Sequence, residues 1–277
     1  MKWQGRAGSS NIEDRRGMRM GLPVGGGIGG LVLLLLFSAL TGTNPLDMIN
    51  SGAPDSGSAG TTGAPQDDPQ AQLIAVALKD TEDTWTEIFR QRGEVYRPPT
   101  LVLFTQATES ACGVGQSAMG PFYCPGDQKV YLDLSFFRDL DQRFSAPGDF
   151  AQAYVVAHEV GHHIQTLSGL TQRVDAVRQR GARNNAVSVR VELQADCYAG
   201  VYGHYAAQRG LLDPGDAEEG LRAASAIGDD RLQQETQGRV VPESFTHGSS
   251  QQRVEWLRRG LESGRMESCN TFDQGTF

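Results

Sequence analysis

A long uncharged and apolar stretch near the amino end limits where a folded domain can lie in this chain. No charged side chain occurs between Gly21 and Pro45, and the centre of the stretch reads Leu-Val-Leu-Leu-Leu-Leu-Phe. About 20 apolar residues are enough to cross a bilayer as a helix. Basic residues outnumber acidic ones in residues 1–20, and basic flanks stay in the cytoplasm. We therefore predict a cytoplasmic basic segment at 1–20 and one transmembrane anchor at 21–40.

The alternative for this stretch is a cleavable signal peptide, which also begins with basic residues. The length of the stretch and the lack of a clear Ala-x-Ala site after it favour a retained anchor. Residues 41–70 are rich in Gly, Ser, Thr, Pro and Asp, a composition typical of a flexible linker. The globular part is therefore expected at residues 71–277, tethered to the outer side of the cell membrane.

Composition and periodicity indicate the class of this globular part. The chain is 39% hydrophobic with a net charge of −8, and it has no basic stripe, so we expect no nucleic-acid partner. Short apolar runs indicate strands at Leu101–Phe104 and Lys129–Leu134. Helical spacing of apolar residues is found at Ala71–Gln91, Asp149–Ser168, Ala186–Gln208, Pro214–Ile227 and Ser250–Ser263. Few strands followed by a run of helices predict an α+β fold, mostly helical with a small sheet.

The sequence His-Glu-Val-Gly-His at residues 158–162 carries the candidate chemistry. It lies in a segment with apolar residues at helical spacing, and residues one helical turn apart project together. Two neutral imidazoles, from His158 and His162, suit a tetrahedral Zn²⁺ ion. Glu159 projects beside such an ion, where it can accept a proton from a water molecule on the metal. Gly161 costs about 1 kcal/mol relative to Ala in mid-helix, which indicates close packing or access beside the metal.

A pair of carboxylates further along the chain supplies the remaining candidate ligand. Glu192 and Asp196 are four residues apart in a segment of helical periodicity, and buried carboxylates need partners. Glu192 would complete a His₂Glu ligand set with one position left for water. Asp196 would accept the second N–H of a ligand histidine. The alternative is a solvated acidic face, which the upstream motif disfavours, and we expect one Zn²⁺ ion per chain.

Three motifs together resemble those of the bacterial membrane-anchored neutral zinc metallopeptidases: HEVGHHIQ, ELQADCYAG and the later SFTHGSSQQR. The resemblance extends from Cys112 to Phe272 and includes the basic and apolar amino end. It implies a zincin-like metallopeptidase domain that acts on peptide or protein substrates. The functional positions of that family correspond here to His158, His162 and Glu192 as metal ligands, Glu159 as general base and Asp196 as the acid that supports a ligand.

Two further assignments concern the substrate. His247 precedes a helix start in which Ser249 and Gln252 form the pattern of a capping box. A histidine held there can donate to the oxyanion that develops on a scissile carbonyl, so we predict a catalytic role for it. The alternative is a surface histidine near the cap. The resemblance also implies that a strand edge pairs with a peptide substrate, and we expect that edge at Lys129–Leu134.

The four cysteines indicate disulfides and an oxidising compartment. Cys112 and Cys124 bracket a Gly-rich stretch suited to a closed loop, while Cys197 and Cys269 remain. Of the three possible connectivities we prefer 112–124 with 197–269, which requires oxidising surroundings. The alternative is four reduced thiols. No C-x-x-C pair occurs, so a cysteine zinc site is disfavoured.

These features predict a membrane-anchored zinc metallopeptidase that hydrolyses peptide bonds. The alternative is a zinc-stabilised envelope binding or scaffold protein without turnover, because metal binding can be retained for folding alone. Glu159 argues against this alternative, since a structural site has no use for a carboxylate beside an open metal position.

Overall fold

A five-stranded sheet and the helices packed on it form the body of the protein. The structure, a computed structural model, describes residues 1–17, 61–65, 67–179 and 185–272. The strands are β1 (Ile12–Asp14), β2 (Thr61–Thr62), β3 (Thr100–Phe104), β4 (Ala107–Ser110), β5 (Gly113–Gln116), β6 (Phe122–Cys124) and β7 (Lys129–Asp133). The helices are α1 (Pro69–Gln91), α2 (Ser135–Gln142), α3 (Asp149–Leu167), α4 (Leu170–Gln179), α5 (Asn185–Gln208), α6 (Asp216–Ala226), α7 (Asp229–Gln237) and α8 (Ser250–Ser263). The expected α+β class with a small sheet is confirmed.

The sheet has the strand order β2-β1-β3-β7-β6, and β4 with β5 forms a separate hairpin. Its three central strands run parallel, and the two outer strands are antiparallel to their neighbours. The central strand β3 is apolar on both faces. Leu101 and Leu103 belong to the main core with the helices, whereas Val102 and Phe104 pack in a smaller cluster on the opposite face. Burial on both faces explains why its sequence is a continuous apolar run.

Residues 1–17 belong to this same body, which differs from the expected separation of residues 1–20 from the globular part. Ile12–Asp14 pairs with the first part of β3 in parallel, and Ile12 is buried. Arg6 donates two hydrogen bonds, of 2.6 and 2.5 Å, to the buried carboxylate of Asp80 on α1. The indole N–H of Trp3 donates to Asp149 at the start of α3 (2.8 Å). The basic amino end therefore contributes a strand and neutralises a carboxylate of the domain.

The expected membrane anchor at 21–40 and most of the linker at 41–70 lie outside the described residues. No helix in the described ranges is both long enough and apolar enough to span a bilayer. In the described ranges, the first long helix is α1, which begins at Pro69 and is capped by the side chain of Asp68; this side chain accepts from the backbone N–H of Ala71 (3.0 Å).

The strand expected to face a substrate is an internal strand. Lys129–Asp133 pairs with β3 on one side, and its residues 129–131 pair with β6 on the other, so the prediction of an edge strand at Lys129–Leu134 is wrong. The two outer strands of the described sheet are β2 and β6, and β6 is the one that lies beside Lys129–Asp133. The error arose because Phe122–Cys124 lies in a short stretch between turns, where three residues carry no periodic pattern.

Close backbone contacts bring α3, α5 and α8 together. A Cβ added to Gly161 on α3 would lie 3.0 Å from the backbone of Ala195 on α5, so the close packing expected at this glycine is confirmed. Cβ atoms on Gly200 and Gly260 would lie 2.2 and 2.0 Å from carbonyl oxygens of the facing helix. Only glycine allows α5 and α8 to approach this closely. Because α8 packs so closely on α5, side chains of α8 can contact residues of α3.

Both preferred disulfides are present. Cys112 and Cys124, with Cα atoms 5.8 Å apart, join the turn of the β4–β5 hairpin to the edge strand β6. Cys197 and Cys269, with Cα atoms 5.4 Å apart, join α5 to the turn that follows α8. The predicted connectivity is therefore confirmed.

Candidate metal centre

Three side chains from two helices converge on one point. His158 and His162 lie one turn apart on α3, and Glu192 faces them from α5. The Nε2 atoms of the two histidines lie 3.1 and 3.6 Å from Oε2 of Glu192, and one possible ligand atom from each residue lies within 4.8 Å of the others. Two imidazole nitrogens and one carboxylate oxygen are the donor set of catalytic zinc sites. In the described part of the chain, this is the group of His, Asp, Glu and Cys residues that fits a metal ion.

The other nitrogen of each candidate ligand is held by a second side chain. Nδ1 of His158 lies 2.9 Å from Oδ1 of Asp196, the contact expected for an acid that supports a ligand. Nδ1 of His162 lies 2.9 Å from Oε1 of Gln165, a residue that the sequence analysis did not single out. Both Nε2 atoms are consequently left to face Glu192. Such outer contacts orient ligand histidines and raise their basicity.

Asp196 is itself held by a buried network. Arg253 on α8 donates from Nε and Nη2 to the two carboxylate oxygens, each at 2.9 Å. The hydroxyl of Tyr154 donates to Oδ1 at 2.5 Å. Arg253 and Asp196 are 3% and 0% exposed, so water does not screen this pair. Arg253 is the last residue of the motif SFTHGSSQQR, yet nothing local in that motif indicates a partner 57 residues earlier.

The charges of these groups set their protonation. Burial alone would raise the pKa of Asp196, but the charges of Arg253 and His158 lower it to about 2. Burial alone would lower the pKa of His158, but the Asp196 carboxylate and its hydrogen bond, together with that to Glu192, raise it to about 10. Without a metal, the His158 imidazole is therefore protonated at neutral pH. The positive charge of His158 then lies between the carboxylates of Asp196 and Glu192.

Zinc must displace this proton, so we expect zinc affinity to rise with pH. The pKa of His158 rises from 6.5 to about 10 on folding; its proton therefore stabilises the metal-free fold fully below pH 6.5 and less as pH approaches 10. Between pH 7 and pH 9 each displaced proton should raise the apparent zinc affinity up to about tenfold per pH unit. Chelator competition at several pH values measures this slope.

The matched variant for this prediction is Asp196→Asn, which removes the carboxylate that raises the pKa of His158. Its zinc affinity should depend less steeply on pH than that of the wild type. A wild-type affinity that is flat between pH 7 and pH 9 would contradict the expectation.

Glu159 lines a cleft of about 880 Å³ together with His158 and His162. Its side chain is buried, and this burial raises its pKa although the neighbouring histidines oppose the rise. A carboxylate with a raised pKa exchanges protons more readily near neutral pH. Its placement suits the predicted role as general base.

His247 lines the same cleft, and Asp229 at the first turn of α7 holds it in place. The Asp229 carboxylate accepts the backbone N–H groups of Thr246, His247 and Gly248 at 2.7, 2.7 and 3.1 Å, and it lies 3.2 Å from Nδ1 of His247. The predicted capping box of Ser249 and Gln252 is present. The imidazole is half exposed, so its role as an oxyanion donor stays a prediction.

The edge strand β6 forms part of the cleft wall. Phe122 and Tyr123 line the cleft, and the hydroxyl of Tyr123 lies 3.0 Å from Nδ1 of His163. Nε2 of His163 lies 2.7 Å from the carbonyl oxygen of Arg97. His163 is fully buried and points away from the ligand set. It ties the metal helix to the edge strand instead of binding a metal.

Comparison with known proteins finds similar chains and a matching family model. The protein described as "Uncharacterized protein YpfJ" of Escherichia coli (strain K12) is 50% identical over 284 residues, which cover 98% of this chain and 99% of that protein. "Uncharacterized protein Rv2575" of Mycobacterium tuberculosis (strain ATCC 25618 / H37Rv) is 46% identical over 189 residues, 64% of this chain and 63% of that protein. No solved structure matches. The family model described as "Putative neutral zinc metallopeptidase" matches residues 1–272, and the chain belongs to this family.

Proposed function

We propose that the protein is a zinc metallopeptidase that cleaves peptide bonds within polypeptide chains. The observation that carries the proposal is the convergence of His158, His162 and Glu192 on one point of a cleft that Glu159 also lines. A structural metal site needs no cleft and no additional carboxylate. The cleft, at about 880 Å³, has room for several residues of a substrate.

The proposed mechanism gives each residue of the site a separate role. A zinc ion held by His158, His162 and Glu192 would polarise the scissile carbonyl and acidify the attacking water molecule. Glu159 accepts the proton of that water and delivers it to the leaving amine. His247 donates a hydrogen bond to the oxygen on which negative charge develops.

The free edge of β6 is the proposed binding site for the substrate backbone. An extended peptide can add a strand to an exposed sheet edge through main-chain hydrogen bonds. Phe122 and Tyr123 place this edge at the cleft. The disulfide of Cys124 ties the edge to the β4–β5 hairpin, and the contact between Tyr123 and His163 ties it to α3.

Cleavage assays on the full-length protein test the proposal. We expect hydrolysis of casein or of internally quenched peptides, loss of hydrolysis with a zinc chelator, and recovery when zinc is added back. Zinc binding without cleavage of any substrate in a diverse peptide library would favour a zinc-stabilised scaffold. Cleavage that is insensitive to chelators would contradict the metal mechanism.

We also propose that residues 1–17 and the peptidase body occupy one oxidising compartment outside the cytoplasm. Paired strands cannot lie on opposite sides of a membrane, and β1 pairs with β3. This proposal replaces the expected topology of a cytoplasmic amino terminus joined to an outer domain by a single membrane crossing. The two disulfides support oxidising surroundings.

Cysteine labelling in intact cells measures this arrangement, because none of the native cysteines is free. Gln4→Cys and Glu218→Cys each add one thiol at an exposed position. Both should react with a membrane-impermeant maleimide without permeabilisation. Labelling of only one of the two would contradict the shared compartment, and labelling of both only after lysis would contradict its location.

A further inference from the structure

We propose that Gln165 and Gln194 are positioning residues that place the proton of His162 on Nδ1 and leave its Nε2 free for a metal. The inference rests on the proposed function only in taking the site as a zinc site. Its basis is a chain of buried amides that ends on two backbone carbonyl groups. These carbonyls determine the direction of every hydrogen bond between them and His162.

The far end of the chain orients Gln194. Its Nε2 lies 2.9 Å from the carbonyl oxygen of Cys269, and a carbonyl oxygen can only accept a hydrogen bond. The NH₂ group of Gln194 must therefore face Cys269, and its Oε1 must face Gln165. The disulfide between Cys197 and Cys269 holds this carbonyl beside α5. Cys197 lies three residues after Gln194 on that helix.

The middle of the chain orients Gln165 in the same way. Its Nε2 lies 2.7 Å from the carbonyl oxygen of Val191 and 3.1 Å from Oε1 of Gln194. Both amide hydrogens are used by these two acceptors. Oε1 of Gln165 is thus an acceptor, and it lies 2.9 Å from Nδ1 of His162. Nδ1 must carry the hydrogen, so Nε2 of the neutral imidazole carries the lone pair that a metal needs.

Burial prevents the opposite arrangement. Gln165 and Gln194 are 2% and 7% exposed, so water cannot replace a lost partner. An inverted amide at Gln165 would place its oxygen against the carbonyl oxygen of Val191 and against Oε1 of Gln194, so that acceptors would face one another with no hydrogen between them. Unsatisfied buried polar groups are strongly unfavourable, and the network therefore specifies one tautomer.

The two ligand histidines are supported by acceptors of different charge. His158 contacts the carboxylate of Asp196, whose charge is balanced by Arg253. His162 contacts a neutral amide. A neutral acceptor orients the imidazole without adding a further carboxylate to a site that already holds Glu159 and Glu192.

Zinc affinity and proton exchange test the inference on the full-length protein. The variants are Gln165→Met, which removes the amide, Gln165→Glu, which keeps an acceptor, and Gln194→Met. Gln152→Met is the control on the same helix, because Gln152 lies away from the ligands. Zinc affinity is measured by chelator competition. The solvent exchange of the His162 Nδ1 hydrogen is measured by NMR on zinc-loaded protein with ¹⁵N-labelled histidine.

We expect Gln165→Met to weaken zinc binding by about 10- to 100-fold, the range for loss of such outer contacts, and to speed exchange at Nδ1. Gln194→Met should have a smaller effect, because Gln165 keeps its bond to Val191. Gln165→Glu keeps an acceptor for Nδ1, but its protonated carboxyl can donate to only one of the two oxygens that the amide serves. It should therefore keep the Nδ1 hydrogen protected and bind zinc more tightly than Gln165→Met but less tightly than the wild type. The control should match the wild type.

Two results would overturn the inference. One is a folded Gln165→Met variant with wild-type zinc affinity and wild-type exchange at Nδ1. The other is equal loss in Gln165→Met and Gln165→Glu, which would indicate packing and not an acceptor. A wild-type chain that binds no zinc would instead overturn the proposed function itself, so the two failures are distinguishable.

Discussion

Replacing Glu159 by Gln should abolish peptide hydrolysis while leaving zinc bound and the fold intact. The amide has the shape of the carboxylic acid, but it cannot accept the proton of the attacking water. General acid–base groups contribute about 10²- to 10⁴-fold to rate, so kcat should fall by at least that range. Burial raises the pKa of Glu159 and disfavours its charge, and the neutral amide should therefore not destabilise the protein.

The measurement compares kcat on a quenched peptide with zinc content and thermal stability. Glu218→Gln provides the matched control, because the same chemical change at this exposed position should leave kcat at the wild-type value. Wild-type turnover in Glu159→Gln would exclude this residue as the general base. Loss of zinc in that variant would show that the carboxylate contributes to metal binding.

Replacing Arg253 by Met should lower the free energy of unfolding by about 3–5 kcal/mol, the range for removing one partner of a buried ion pair. The Asp196 carboxylate is fully buried and receives two hydrogen bonds from Arg253, one to each oxygen. Without the guanidinium group of Arg253, only the charge of His158 opposes the negative charge of Asp196. Urea unfolding of the metal-free protein measures the loss.

Two variants isolate the ion pair as the cause. Arg259→Met on the same helix removes a half-exposed arginine whose nearest carboxylate is 3.7 Å away, and it should change stability by less than about 1 kcal/mol. The double variant Arg253→Met with Asp196→Asn should recover part of the loss, because it no longer buries an unpaired carboxylate. A loss below 1 kcal/mol in Arg253→Met would contradict the argument.

Local patterns predicted the elements that carry the ligands. Helical spacing indicated α3 and α5 to within a residue at each end, and the capping box of Ser249 and Gln252 marked the start of α8. The spacing of His158 and His162 by one turn is a property of any helix. Gly161 in mid-helix indicated the close contact with α5 that the structure contains.

The elements that were missed depend on partners distant in the chain. The three residues of β1 have no recognisable strand pattern, and they form a strand because β3 lies beside them. The prediction of a substrate edge at Lys129–Leu134 failed for the same reason, since a strand's sequence does not reveal whether both of its edges are paired. The contact of Arg253 with Asp196 also required the packed helices, whereas the contact of Gln165 with His162 spans only three residues of one helix and was missed although it is local.

By itself, the sequence predicted which residues could bind a metal ion and which helices carry them, because spacing along a helix is set by interactions within one or two turns. The tertiary structure alone decided that Glu192 meets the two histidines, that Arg253 balances Asp196 and that β6 is the edge strand at the cleft. These contacts join residues tens of positions apart, and their geometry follows from the packing of whole elements. The close approach of α5 to α3 at Gly161 is the physical reason that two separate motifs form one site.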